Sequence, residues 1–241
     1  MLKLNLFKTI YFNFTILPIQ QAIRLPMHFY GKVEFTDLSG LFIIQCENIK
    51  FGMIVFGGKH EVVISSNVST RIYNSGKIVF NGTAVFARGI NVVVWKYGEL
   101  HIGSNFSIGS LSKIICFRKI IFENNVLVSW EVQIFDTDFH FIIADQIISD
   151  NCGGVLISEN VWLGSRCTIL KNSVIPKNSI VGSDSLCTGN YLKKYGESIL
   201  LVGVPAKLLK NNISYLNDKT KEMELFKYFN SNRNQHQVWK N

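Results

Sequence analysis

Charge is scarce in this chain. Asp, Glu, Lys and Arg make up 17% of the 241 residues and apolar residues 47%, which excludes a disordered chain and leaves ample material for a core. No run of five basic residues accompanies the net charge of +8. That balance favours an anionic partner such as a phosphorylated cofactor and speaks against a nucleic-acid-binding arm. Long apolar runs are missing too. The N-terminal stretch is interrupted by Lys8, Asn13, Pro18 and Gln20, so nothing reaches the ~18 residues a membrane span needs. No small-residue cleavage site follows it, which argues against a secretory signal. Prolines number four; Pro18 would open a short helix and Pro26 close it. The five cysteines (Cys46, Cys116, Cys152, Cys167, Cys187) form no CxxC pair and no metal-ligand spacing. They are expected to be free thiols in a reducing compartment.

What is present is a period. From Ile157 the chain divides into sixes: ISENVW, LGSRCT, ILKNSV, IPKNSI, VGSDSL. The first places are Ile157, Leu163, Ile169, Ile175, Val181 and then Cys187; the fifth are Val161, Cys167, Ser173, Ser179 and Ser185. A period of six fits neither a 3.6-residue helix nor a continuous strand. It fits a short strand that turns a corner every six residues. Three sides close a triangle of about 18 residues, and the triangles stack as a parallel β-helix. Aliphatic residues would fill its axis, and Gly, Asn, Asp and Ser would suit corners that need positive φ. The same grammar runs through Ile102, Ile108 and Ile114, and again through Phe122, Val128 and Ile134. Residues 31–99 are expected to form less regular coils of the same helix.

Between Ile134 and Ile157 the phase breaks, so FDTDFHFIIADQIISDNCGG is expected to leave the coil as an excursion. VGVPAKLLKNN reads as an extended exit strand, and a helix capped by Asp218, with Met223, Phe226 and Phe229 near one face, follows it. The expected organisation is a capping segment over residues 1–30, a solenoid over 31–205 with a loop near 136–154, and an exit strand and helix over 206–241. The N-terminal segment, with Lys3, Lys8 and Arg24, is expected to cap the solenoid, and contact with a membrane surface is left open.

The run ISENVWLGSRCTILKNSVIPKNSIVGSDSLCTGNYL with the later LLVGVPAKLLK resembles the C-terminal half of the hexapeptide-repeat acyltransferases. These include galactoside, serine, nodulation-factor and capsule or colanic-acid O-acetyltransferases. VLVSWEVQIFDTDFHFI is most similar to the capsular and exopolysaccharide branch, and the match spans roughly residues 100–210. The resemblance implies a left-handed parallel β-helix, an exception to the usual crossover hand. It also implies a homotrimer and acetyl-CoA held in the groove between subunits, with no metal required and no nucleic acid as partner. The protein is then expected in the cytoplasm, peripheral contact with the inner face of the membrane remaining open.

Moving an acetyl group from a thioester to a sugar hydroxyl needs a base near neutral pKa, and histidine is the usual choice. Of His28, His60, His101, His140 and His236, only His140 lies in the excursion beside carboxylates, and it matches the family's catalytic histidine. Asp136 or Asp138 would orient it. The resemblance places Gly164, Ser165, Ser183, Thr188 and Lys207 along the cofactor, with backbone N–H groups at Gly164, Ser165 or Ser183 facing the thioester oxygen. Trp130 is a candidate stacking surface for a sugar ring and Trp162 a groove wall. Phe141, Gly189 and Ser183-Asp184 depart from the family's common residues. The reading is an acetyl-CoA-dependent O-acetyltransferase acting on a surface polysaccharide or its precursor. The alternatives are N-acetylation of an amino sugar, a γ-carbonic-anhydrase-like metalloenzyme, which would need three histidines on one zinc, and an inactive scaffold.

Overall fold

The computed structural model describes residues 3–58, 68–233 and 236–237; His60 lies outside them. The chain winds into a three-sided parallel solenoid whose faces are sheets of nine, seven and six strands among the described residues. The winding is that of a left-handed parallel β-helix. Its first coil is Met27–Phe29, Val33–Asp37 and Leu41–Ile44, so it begins inside the segment assigned above to the cap.

The six-residue phase is the core. All six first-place residues from Ile157 to Cys187 are fully buried, and the fifth-place residues Val161, Cys167, Ser173, Ser179 and Ser185 are buried beside them. The fifth-place serines bond backbone instead of leaving a polar group bare: Ser173 Oγ donates to the Cys187 carbonyl at 3.0 Å and Ser185 Oγ accepts from Gly203 N at 3.1 Å. The fourth place is the corner. Asn160, Arg166, Asn172, Asn178 and Asp184 all have φ between +55° and +64°, the left-handed region that Asn and Asp enter at least cost.

Coil length departs from the expected 18. Thr168 pairs with Leu186, 18 positions on, but Lys113 pairs with Gln133, 20 on, and with Asn91, 22 back. The extra residues sit in wider corners such as 95–98, where Gly98 N bonds the Trp95 carbonyl at 2.7 Å.

The ends differ from expectation. The helix α1, Leu6–Ile16, precedes Pro18; α2, Ile19–Ala22, is the short helix that Pro18 opens. Asn13, which looked like an interruption, is fully buried; its side chain donates to the Thr9 and Met27 carbonyls and accepts from Met27 N. At the other end the short helix α3, Tyr191–Tyr195, follows the last full coil. The stretch expected to run straight out reverses after Val202, and Lys207–Asn211 pairs antiparallel with Ile199–Val202. The helix α4, Lys219–Ser231, is capped by Asp218, which accepts from Thr220 N and Lys221 N. It buries none of its residues, Met223 and Phe226 being exposed, so it does not cover the solenoid end.

Candidate active site

The chain leaves the seven-stranded face after Gln133–Phe135 and re-enters the six-stranded face at Val155–Ile157. Between them Ile142–Ala144 and Ile147–Ser149 form an exposed hairpin. Its two feet are zipped together: Asp138 N donates to the Asn151 carbonyl and Gly153 N to the Asp136 carbonyl, both at 2.8 Å.

Asp136 is fully buried. Its carboxylate accepts three backbone N–H bonds of 2.7 Å, from Phe117, Arg118 and Lys119, so it anchors the loop to the corner of the preceding coil. Asp138 meets Lys171 of the following coil, with Nζ to Oδ2 at 2.5 Å, and the same Nζ donates to the Asp150 carbonyl at 2.8 Å. Arg118 grips the other foot through Asp150 Oδ2 at 2.7 Å and the Cys152 carbonyl at 3.1 Å. The Cys152 N–H and this guanidinium hold the Asp150 carboxyl below the usual range.

His140 sits just past this clamp and is exposed. Its backbone N–H bonds the Asp138 carbonyl at 2.8 Å around Phe139, whose φ is +63°. That is a γ-turn with positive φ at its centre, the strained form, and strain of this kind gathers at functional sites. The two aspartates proposed as partners act on the loop; among the described residues no carboxylate bonds the His140 ring.

The cofactor candidates form a second group on the last coils. A Cβ on Gly164 would lie 2.7 Å from Ser183 N and 2.8 Å from the Val181 carbonyl oxygen, so close coil stacking itself demands glycine there. Asp184 N bonds the Ser165 carbonyl at 3.0 Å. Thr188 N donates to the Tyr191 hydroxyl, which reaches the Ala206 carbonyl beside Lys207. Ser183, Thr188 and Lys207 are exposed, whereas Gly164 and Ser165 are buried. The Gly164 N–H is taken by the Val181 carbonyl at 2.8 Å, so it cannot serve the thioester oxygen. Trp130, 38% exposed, lies on the same corner, where its carbonyl accepts from Arg166 N. Trp162 donates its Nε1 to Ser129 Oγ at 3.0 Å and packs near Tyr215.

Thus His140 and three of the cofactor candidates stand on opposite edges of one face, whereas Thr188, just after Leu186–Cys187, lies on the loop's edge. The loop leaves where the seven-stranded face ends, and Gly164, Ser165 and Ser183 lie where it begins.

No family model matches the chain. It is 29% identical over 177 residues to an uncharacterized 24.8 kDa protein of the cps region of Klebsiella pneumoniae, covering 72% of this chain and 77% of that one. It is 25% identical over 149 residues to the putative lipopolysaccharide biosynthesis O-acetyl transferase WbbJ of Escherichia coli strain K12, covering 58% and 74%. The solved structure of the polySia specific acetyltransferase NeuO matches with a TM-score of 0.52 over 84% of this chain and 98% of its own, at 16% identity. The chain thus has the fold of that acetyltransferase and is similar in sequence to an O-acetyl transferase.

The buried thiols are poor nucleophiles, because burial pushes Cys167 up to about 11 and Cys187 up to about 12, and raises Cys116 as well. His101 pairs with Glu99 at 3.3 Å on an outer face, and no group of three possible metal ligands occurs among the described residues. Two clefts of about 550 and 430 Å³ lie under Tyr215 along a different corner, beside Asn160, Asn178 and Asn125. Neither is lined by a histidine.

One feature beside His140 escaped the sequence reading. Tyr73, Trp95, Phe117 and Phe139 form a file of rings climbing the corner to the loop. Trp95 stacks on Tyr73 at 5.6 Å and on Phe117 at 5.4 Å, and Phe139 meets Phe117 edge-on at 5.9 Å. The signal was a spacing of 22 residues, hidden from a search phased on six.

Proposed function

We propose that this chain transfers the acetyl group of acetyl-CoA to a sugar hydroxyl of a surface polysaccharide or its precursor, with His140 as general base. The observation that carries the reading is a lone exposed histidine on a strained turn, at the head of a loop clamped to the coils before and after it. As the acceptor oxygen attacks the thioester carbonyl, the His140 imidazole takes its proton. When the C–S bond breaks, the imidazolium returns that proton to the departing CoA thiolate, leaving the acetyl ester and free CoA. Backbone N–H groups at Ser165 and Ser183 stabilise the developing oxyanion. Lys207 and Lys210 face the phosphates of CoA. Asp138 and Asp136 are positioning residues that act through the loop.

The acceptor reading draws on the WbbJ and NeuO names and on the file ending at Phe139, whose partly exposed ring edges offer a sugar chain an apolar track. Geometry supports an oligomer. A face six residues wide spans roughly 15–20 Å, too far for a base and a thioester on one chain to meet. Setting the loop edge of one copy against the cofactor edge of the next closes the site, and such a heterologous contact closes as a ring; a homotrimer matches the three-sided cross-section.

The test is CoA release from acetyl-CoA across a panel of oligosaccharide acceptors, amino sugars included, comparing the wild type with His140→Ala. Acceptor-dependent release that drops by about 10² or more in the variant is expected. Release unchanged by the substitution would move the base elsewhere.

A further inference from the structure

We infer that the N-terminal helix end of this protein is a docking surface for an anionic lipid bilayer. The inner side of α1 plugs the solenoid: Phe12 is fully buried and its ring meets Phe29 at 4.9 Å, Phe35 at 5.3 Å and Phe42 at 5.0 Å. Those three rings come from the three faces of the first coil. The helix therefore lies across the open mouth of the β-helix, and its other side looks outward along the solenoid axis. A side-by-side assembly of parallel solenoids leaves that direction uncovered.

The outward side is apolar. Leu6, Phe7, Ile10, Tyr11 and Phe14 fall on one stripe at helical spacing and are between 44% and 79% exposed. In α2 and just after it, Ile19 and Ile23 continue the stripe at 59% and 65% exposed. A cap needs only an inner apolar side, which Phe12 supplies, so capping does not account for the outer one. Charge then chooses the occupant. The first acidic residue is Glu34, whereas Lys3, Lys8, Arg24 and Lys32 precede it, and Lys3, Arg24 and Lys32 are exposed. A second copy docked end to end would set basic rim against basic rim. A bilayer offers the stripe a hydrocarbon boundary and the rim its negative headgroups.

The eleven residues of α1 extend about 16 Å, too short to cross a hydrocarbon core of about 30 Å, so the helix lies in the interface. Docked this way, the solenoid axis stands on the membrane, and the loop bearing His140 projects sideways within reach of glycans near the surface. The docking surface itself is independent of the transferase reading.

The test is co-sedimentation of the full chain with phosphatidylcholine vesicles and with vesicles that also carry phosphatidylglycerol, comparing the wild type with Phe7→Glu/Phe14→Glu. Both substituted positions are exposed, so the fold is expected to survive, which an unchanged thermal midpoint and unchanged mass in solution check. The wild type is expected to bind the anionic vesicles at least about tenfold more strongly than the neutral ones, less strongly in high salt, and the variant to lose about tenfold or more. Equal binding of wild type and variant, or no binding of the wild type to anionic vesicles, overturns the inference. A fall in oligomeric mass in the variant also overturns it, because the stripe would then be a contact between copies.

Discussion

Lys171 Nζ lies 2.5 Å from Asp138 Oδ2 and also donates to the Asp150 carbonyl, so one ammonium group holds both feet of the His140 loop to the coil that follows. Removing it leaves the feet joined to each other and tied to that coil only through the Asn172 N–H on the Gly153 carbonyl. Lys171→Met is expected to lower turnover by about 10- to 100-fold, the scale of an ångström-sized misplacement, with little change in melting temperature. Its effect should largely vanish in a His140→Ala background, because the two residues act as a unit.

Asp136 separates from Asp138 by its partners. Three backbone N–H groups converge on its buried carboxylate, and an amide in its place turns a donor toward at least one of them. Asp136→Asn is expected to cost more than about 3 kcal/mol of stability, read by denaturant unfolding, with activity per folded molecule falling less than in His140→Ala. Loss of turnover without loss of stability would assign Asp136 to the chemistry instead.

These two aspartates mark how far the sequence was legible. The period of six exposed the axis because the axis is a one-dimensional requirement: every sixth side chain must be aliphatic, and from Ile157 to Cys187 each one is buried. It located the loop for the same reason, as the place where phase is lost. Asp136 and Asp138 looked equivalent because spacing holds no information about which residue turns inward at a corner. Tyr73, Trp95, Phe117 and Phe139 were missed because the middle coils are longer than the last ones, and α1 because Asn13 reads as polar until the Met27 backbone is seen to pair with it.

At the axis, Ile169→Ala removes a fully buried side chain from a stack of others. About 2–5 kcal/mol is expected, measured by urea unfolding. Nearest-neighbour coupling between coils makes such losses propagate, so the unfolding transition should stay single if the coils act together.

The acceptor track makes a kinetic prediction. Trp95→Ala takes the central ring from the file while leaving His140 and its clamp intact. The acceptor KM is expected to rise severalfold, with KM for acetyl-CoA unchanged, in steady-state assays on a long oligosaccharide. Trp162→Ala, which removes a ring away from the loop, should leave the acceptor KM as it is.

His28 predicts a pH dependence. It is buried, its Nε2 has no partner among the described residues, and desolvation lowers its pKa from 6.5 while a bond to the Leu25 backbone partly opposes this. Above 6.5 both native and unfolded chains carry it neutral, and it contributes nothing. Below 6.5 the unfolded chain takes up a proton that the native state resists, so stability falls with pH until the native pKa is reached. Thermal midpoints at about pH 7.5 and about pH 5.5 should differ less for His28→Phe than for the wild type.

The clamp around His140 also sets an order in time. One side is tied to residues 117–119, already wound when the loop emerges, but the other waits for Lys171 and for Asn172, whose N–H meets the Gly153 carbonyl at 3.4 Å. Each turn of a solenoid is supported only by its neighbours, and chains are made from the N-terminus onward. A nascent chain that stops short of Lys171 already owns its histidine but holds it from one side only. With His140 in its proposed role, reactivity is thus deferred until the next turn of the winding has closed beneath it.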